Sequence, residues 1–229
     1  MTRQKDSGKA QEKQGSAQAK RRGAVSETAA PAEAVAKAPT RSRGHQRVAV
    51  LLDAAAEAFA EKGYAATTMT EIAARAQSSI GSLYQFFPTK EQVAVALVAR
   101  QAEALFARLD EIEASAPETE VETLAHTLCG TLVAFRAAHP SFALLIETPG
   151  APPETTSAVR IRMRERLTDI LRHKAPQRSR AELDAVAAVT QQVMKSATVL
   201  NAEPQARKRN ATLAQLRTML ALYLSEALA

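Results

Sequence analysis

The sequence predicts an all-α protein, and three observations predict it. Its 229 residues are rich in Ala and Leu, have 46% hydrophobic content and contain few β-branched runs. After residue 44 the apolar residues recur at three- and four-residue spacing rather than in alternation, which is the period of a helix with one buried face. The interruptions fall at Pro117, Pro140, the PGAPP stretch at 149 to 153, Pro176 and Pro204. Proline ends helices because it lacks the amide proton and crowds the preceding turn.

Residues 1 to 43 are the exception. They hold ten Lys or Arg against four Asp or Glu, a balance of +6 that leaves 20 charges of each sign in residues 44 to 229. With Gly, Ser, Gln, Ala and Pro between the charges and no apolar periodicity, this basic tail is expected to be disordered. It is either a solubilising extension or an arm that adds phosphate contacts or reaches a minor groove, in which case Arg41, Arg43 and Arg47 are the candidates nearest the folded part.

Residues 44 to 88 predict three short helices about one small core. Val48, Leu51, Leu52, Ala55 and Phe59 share a face before Lys62, Gly63 and Tyr64, so an amphipathic helix ends in a glycine cap. A second helix begins at Thr68, since Thr68 and Glu71 have the spacing of a capping box. Ile72, Ala73 and Ala76 fall on one side of it, and the two alanines allow another helix to cross closely. Ser78 or Ser79 caps a third helix, which Pro88 stops. At 100° per residue, Leu83, Phe86 and Phe87 lie on its inner side, with Gly81, Ser82, Tyr84 and Gln85 around the outer. Five of the nine aromatics, Phe59, Tyr64, Tyr84, Phe86 and Phe87, lie in this stretch, as a unit too small to build a core from aliphatics alone requires. Two short helices meeting at a tight turn make a helix-turn-helix, the geometry that seats a helix in a DNA major groove.

The run from Arg47 through AAAEAFAEKGYAATTMTEIAARA to SIGSLYQFFPTKEQ resembles the N-terminal DNA-binding domain of the TetR family of bacterial transcriptional regulators. An F-x-x-x-G-Y-x-x-T-[TS] lead-in joined to G-[ST]-L-Y-x-x-F-x-[ST]-K-E carries the resemblance, over residues 45 to 93. Two positions depart from it. Gln77 and Ser78 stand where members often have Gly-Val, so the turn must form without glycine, at a cost if it needs positive φ. Ile80 replaces a polar or basic residue, and either packs inward or meets a thymine methyl. The resemblance implies a repressor bound as a homodimer to a palindromic double-stranded operator and released by a small-molecule effector. In the contact scheme that follows, Arg47, Thr68, Thr70, Tyr84 and Lys90 hold phosphates, while Gly81, Ser82 and Gln85, with Ile80, face base edges. Lys90 opposes the dipole of the next helix, which suits it to an external anion. Gly81 permits close approach, and Gln85 can pair with adenine.

Residues 89 to 229 are expected to form a helical effector-binding and dimerisation domain. Thr89 and Gln92 have capping-box spacing, and helical patterns run from Glu91 to about Ala114, Val121 to Ala138, Ser141 to Glu147, Thr155 to His173, Arg180 to Ala202 and Gln205 to Leu228. By resemblance the last two helices pair between chains. Leu213, Leu216, Leu220 and Leu224 form an apolar stripe and Ala185, Ala188, Val189, Gln192 and Ser196 a small-residue face, either for the partner or for closing the monomer's own core. For the effector, Cys129 and Arg136 share a sector of one helix. On the helix from Thr155, Arg160 and Arg164 flank Met163 on the apolar face, while Arg162 and Arg166 point away and should be solvated. A flanking arginine can hold an anionic ligand or pair with Glu147 or Glu154. Phe106 and Met194 complete the ligand candidates, although these two, with Phe135 and His126, also suit the core.

Other chemistry finds little support. One cysteine allows no internal disulfide, and His126 with Cys129 supplies two metal ligands where a site needs more. No metal or cofactor is expected. No apolar run approaches the roughly 20 residues of a membrane span, and no signal-type segment opens the chain, so a cytoplasmic location is expected. There is no Gly-rich phosphate loop, G-x-S-x-G or H-E-x-x-H, so enzymatic activity is not expected. The rival reading is a helical protein–protein interaction module whose helix-turn-helix is structural.

Overall fold

The computed structural model describes residues 42–147 and 152–229, and their regular structure is entirely helical. The expected basic tail lies outside the described residues except for Ser42 and Arg43, which open the first helix. In order, the helices are α1 (Ser42–Ala66), α2 (Met69–Arg75), α3 (Ile80–Phe86), α4 (Lys90–Ser115), α5 (Val121–Ala138), α6 (Pro140–Glu147), α7 (Pro153–Arg172), α8 (Arg180–Asn201) and α9 (Ala206–Leu228), with a 3₁₀ turn at Ala116–Glu118. The expected PGAPP loop is only partly within the described residues. Pro152 caps α7 and Pro153 occupies its first turn, where a missing amide proton leaves no hydrogen bond unmade.

Threonine and serine start these helices as the spacing predicts. Thr68 accepts from the Glu71 amide, Ser79 from Ser82 and Thr89 from Gln92. The reciprocal half of the box at Glu71 is replaced by ion pairs: its carboxylate meets Lys62 at 2.7 Å and Arg75 at 3.4 Å, and Arg75 also grips Glu61. These contacts fasten α2 to α1. A complete box does form at Ser179 and Glu182, the S-x-x-E spacing that also starts a helix.

A single apolar core runs from Leu51 to Leu228. Helix α1 packs on α2, α4 and α6, while α4 continues onto α5 and α7, and α5, α7, α8 and α9 close the bundle. Polar clasps mark the joins: Arg100 of α4 reaches Asp53 at 2.7 Å on α1, and buried Gln101 donates to Ser141 of α6 at 3.1 Å.

One expectation requires correction and one open alternative is decided. Arg162 and Arg166 are not simply solvated, because α4 presents carboxylates to them: Arg162 pairs with Glu103 and stacks over the Phe106 ring, and Arg166 pairs with Asp110 at 3.3 Å. The α9 leucine stripe is not a free face either. Leu213, Leu220 and Leu224 are buried and Leu216 half-buried inside the chain, so they close the monomer core. The outward residues of α8 and α9 include Ala185, Val189, Gln192, Ser196, Val199, Met219 and Leu222; Leu222 is 67% exposed.

Candidate nucleic-acid interface

The end of α1 sets the position of everything after it. Gly63 breaks the helix at φ 75°, ψ 168°, a conformation that glycine adopts without a Cβ clash. Buried Thr67 seals the break, its hydroxyl 2.8 Å from the Gly63 carbonyl and 3.1 Å from that of Ala58. Lys90 completes the seal. Its Nζ donates to the carbonyls of Tyr64 (2.8 Å), Ala65 (3.2 Å) and Thr67 (2.8 Å), and lies 4.5 Å from the centre of the Tyr64 ring. An ammonium has three protons, and these three carbonyls accept them. The expected phosphate contact at Lys90 therefore gives way to an internal grip, which joins the first turn of α4 to the end of α1. The sequence placed the charge correctly in that turn but could not reveal three orphan carbonyls beside it.

The turn between α2 and α3 is made without glycine. Ser78 N–H donates to Ala73 and Gln77 N–H to Ala74, at 2.9 and 3.0 Å, the crossed pair of bonds that closes a helix when the next residue turns left-handed. Gln77 is that residue, at φ 48°. Ala76, buried at the crossing with Ile72 and Ala73, lets the following helix pass closely.

Helix α3 is seated by Leu83, with Phe87 just past its end, both buried. Gly81, Tyr84 and Gln85 face solvent, as does Ile80, which is 40% exposed and so does not pack inward. A Cβ added at Gly81 would meet nothing within 4 Å. Glycine in a helix costs about 1 kcal/mol relative to alanine, and nothing among the described residues requires it there. Ser82 departs from the expectation. It is buried, its hydroxyl 3.4 Å from Nη1 of Arg47, because the first turns of α1 cover that side of α3. Thr68 and Thr70 are exposed near the start of α2.

Arg43, Arg47, Gln77, Ser82 and Gln85 line one shallow hollow between α1, the turn and α3. No carboxylate lines it, and neither arginine has an ion-pair partner among the described residues, whereas Glu61 and Glu71 are engaged by Arg75 and Lys62. Those contacts hold both carboxyls below the usual carboxylate range, the Arg75 hydrogen bond dominating at Glu61 and the Lys62 one at Glu71. The exposed hollow is thus cationic. Arg43 lies within α1 and not in the expected tail; the start of that helix lacks an apolar pattern of its own.

The effector candidates divide. Arg136, Arg160, Met163 and Arg164 line one cavity of about 540 Å³, together with Glu147, which pairs with Arg136 rather than with Arg160 or Arg164, and with Gln191 and Lys195, which sequence reasoning did not bring to it. Phe106, Cys129 and Met194 are buried in the core and do not line it; burial pushes the Cys129 thiol up to about 11. His126, expected in the core, is exposed. Among the described residues no cluster of His, Cys, Asp and Glu could hold a metal ion. No single helix there is long and apolar enough to cross a membrane.

Comparison with known proteins agrees with this geometry. Residues 51–97 match the family profile of bacterial regulatory proteins of the tetR family, and residues 121–224 that of the tetracyclin repressor-like C-terminal domain. No curated protein sequence matches. Among solved structures, the fold is similar to a TetR-family transcriptional regulator from Streptomyces coelicolor (24% identity, 80% of this chain and 99% of that one, TM-score 0.58). It is also similar to a TetR transcription regulator from Haloarcula marismortui (16% identity, 81% and 100%, TM-score 0.61). A third is the fatty acid degradation regulator FadR from Bacillus halodurans (19% identity, 76% and 94%, TM-score 0.56).

Proposed function

The chain belongs to the TetR family of bacterial regulatory proteins, and from that membership we propose that it is a repressor that binds a palindromic operator as a homodimer and leaves it when a small molecule occupies the cavity. The observation that supports this most is the outer face of α3. Gly81, Tyr84, Gln85 and Ile80 stand open while Leu83 seats the helix, and Gly81 has no internal reason to be glycine. Gln85 and Ile80 read base edges in this scheme. Arg43, Arg47, Thr68, Thr70 and Tyr84 hold phosphates. Ser82 acts through Arg47, whose guanidinium it steadies. The outward faces of α8 and α9, including Val189, Val199, Met219 and Leu222, are the surface for the second copy, and the protein acts in the cytoplasm.

Footprinting on genomic DNA followed by titration of the recovered duplex tests the proposal. The expected outcome is a palindrome with half-sites about one helical turn (~34 Å) apart, bound less tightly as salt rises. Gln85→Ala should relax preference at one base pair by about 1–3 kcal/mol. Equal affinity for scrambled DNA would favour the interaction-module reading instead.

A further inference from the structure

The lining of the 540 Å³ cavity carries more information than its position. Its volume is in the range of about 300–1,000 Å³ usual for ligand sites, and much of its wall is apolar, with Leu105, Leu132, Phe142, Ile146, Val159 and Met163 contributing. Its charges are unbalanced. Among the described residues Arg136, Arg160, Arg164 and Lys195 line it with a single carboxylate, Glu147, and that carboxylate is already paired with Arg136 at 2.5 Å.

The contrast along α7 makes the imbalance specific. Arg162, Arg166 and Arg172 each have a carboxylate partner within 4 Å. Arg160 and Arg164, on the cavity side of the same helix, have none among the described residues; Arg160 reaches only the Thr156 hydroxyl, at 3.4 Å. The Arg164 Nε is buried and without a hydrogen-bond partner, a cost that an incoming acceptor would remove. Unpaired cations beside an apolar wall repel a cationic guest and leave a neutral one with no gain from them.

Resting on the reading of this cavity as the effector site, we propose that it takes an organic anion with an apolar body, the anionic head held by Arg160, Arg164 and Lys195. Glu147 restrains that binding. It sits at the end of α6, keeps Arg136 neutralised and opposes a second negative charge nearby.

Calorimetric titration of the full chain with decanoate, decan-1-ol and decyltrimethylammonium tests the class, because the three share a chain length and differ in charge. Decanoate should bind roughly tenfold or more tightly than the alcohol, the scale of one charge-assisted hydrogen bond, and the ammonium most weakly. Arg164→Gln and the exposed Arg160→Gln should each weaken decanoate by about tenfold without changing the alcohol, while Arg172→Gln, remote from the cavity, should leave both unchanged. Glu147→Gln should tighten decanoate. The proposal is overturned if decanoate does not bind, if the alcohol binds equally well, if the ammonium binds best, if neither cavity arginine matters, or if Glu147→Gln weakens decanoate. Duplex binding by the same ligand-free preparations separates the two readings. Its absence in the unsubstituted protein defeats the regulator, whereas specific duplex binding together with an uncharged preference in the cavity defeats the anion alone.

Discussion

Replacing Gln77 by glycine should stabilise the protein, and the size of the gain follows from the turn between α2 and α3. At φ 48° Gln77 occupies the left-handed region, which costs a residue with a Cβ about 1–2 kcal/mol. Glycine removes that cost but gives up roughly 0.5–1 kcal/mol more chain entropy on folding, so the net gain should be about 0.5–1 kcal/mol. Little else changes, because the Gln77 side chain is exposed and the crossed hydrogen bonds of the turn use only backbone atoms. For a chain of this size each kcal/mol moves Tm by roughly 2–4 °C, so thermal melts should show a rise of about 1–4 °C. Gln77→Asn should fall between the two, and Gln77→Val should lower Tm, since a β-branched side chain tolerates positive φ least. A glycine variant that melts lower than the parent, or a valine variant that melts level with it, would refute the claim that this turn stores backbone strain.

Lys90→Met should cost about 1–2 kcal/mol of stability in chemical denaturation, from three carbonyls losing a charged donor, and leave the salt slope of duplex binding unchanged; a flattened slope at full stability would restore Lys90 to the phosphate set. Cys129, buried with its thiol raised to about 11, should resist thiol reagents in the native protein and react at once in denaturant. His139 has its pKa held below 6.5 by burial, with Arg108 and Arg100 adding to the effect. The unfolded chain therefore takes up the proton first, and stability should fall as pH drops below 6.5. His139→Gln should make that decline shallower, as denaturation midpoints between about pH 7 and 5.5 will show.

The helices of this protein were legible because their signals are local. Thr68, Ser79 and Thr89 cap where their spacing predicts, and Gly63 breaks α1 where the pattern stops. The outward set on α3 followed from angle alone, except at Ser82. Its cover comes from α1, 35 residues away in the chain, and a helical projection contains no such neighbour. The same gap explains Lys90, whose partners lie 23 to 26 residues back, and the α9 leucines. An apolar stripe shows that something is buried but not whether the covering surface belongs to the same molecule. For α7, angles separated Arg160 and Arg164 from Arg162 and Arg166, yet only the packing of α4 supplied carboxylates to one pair and not to the other.

Helix α4 touches both ends of this arrangement, with Lys90 in the grip beneath α1 and Leu105 in the cavity wall. Fifteen residues of helix separate them, roughly 22 Å of stiff rod. Such a rod does not absorb displacement; it swings. Pivoting about 5° at Leu105 would move the far end by about 2 Å, more than a hydrogen bond tolerates. The Lys90 grip ties the near end of that rod to the end of α1 and the segment that leads into α2, so a push on the cavity wall has a stiff path to that joint.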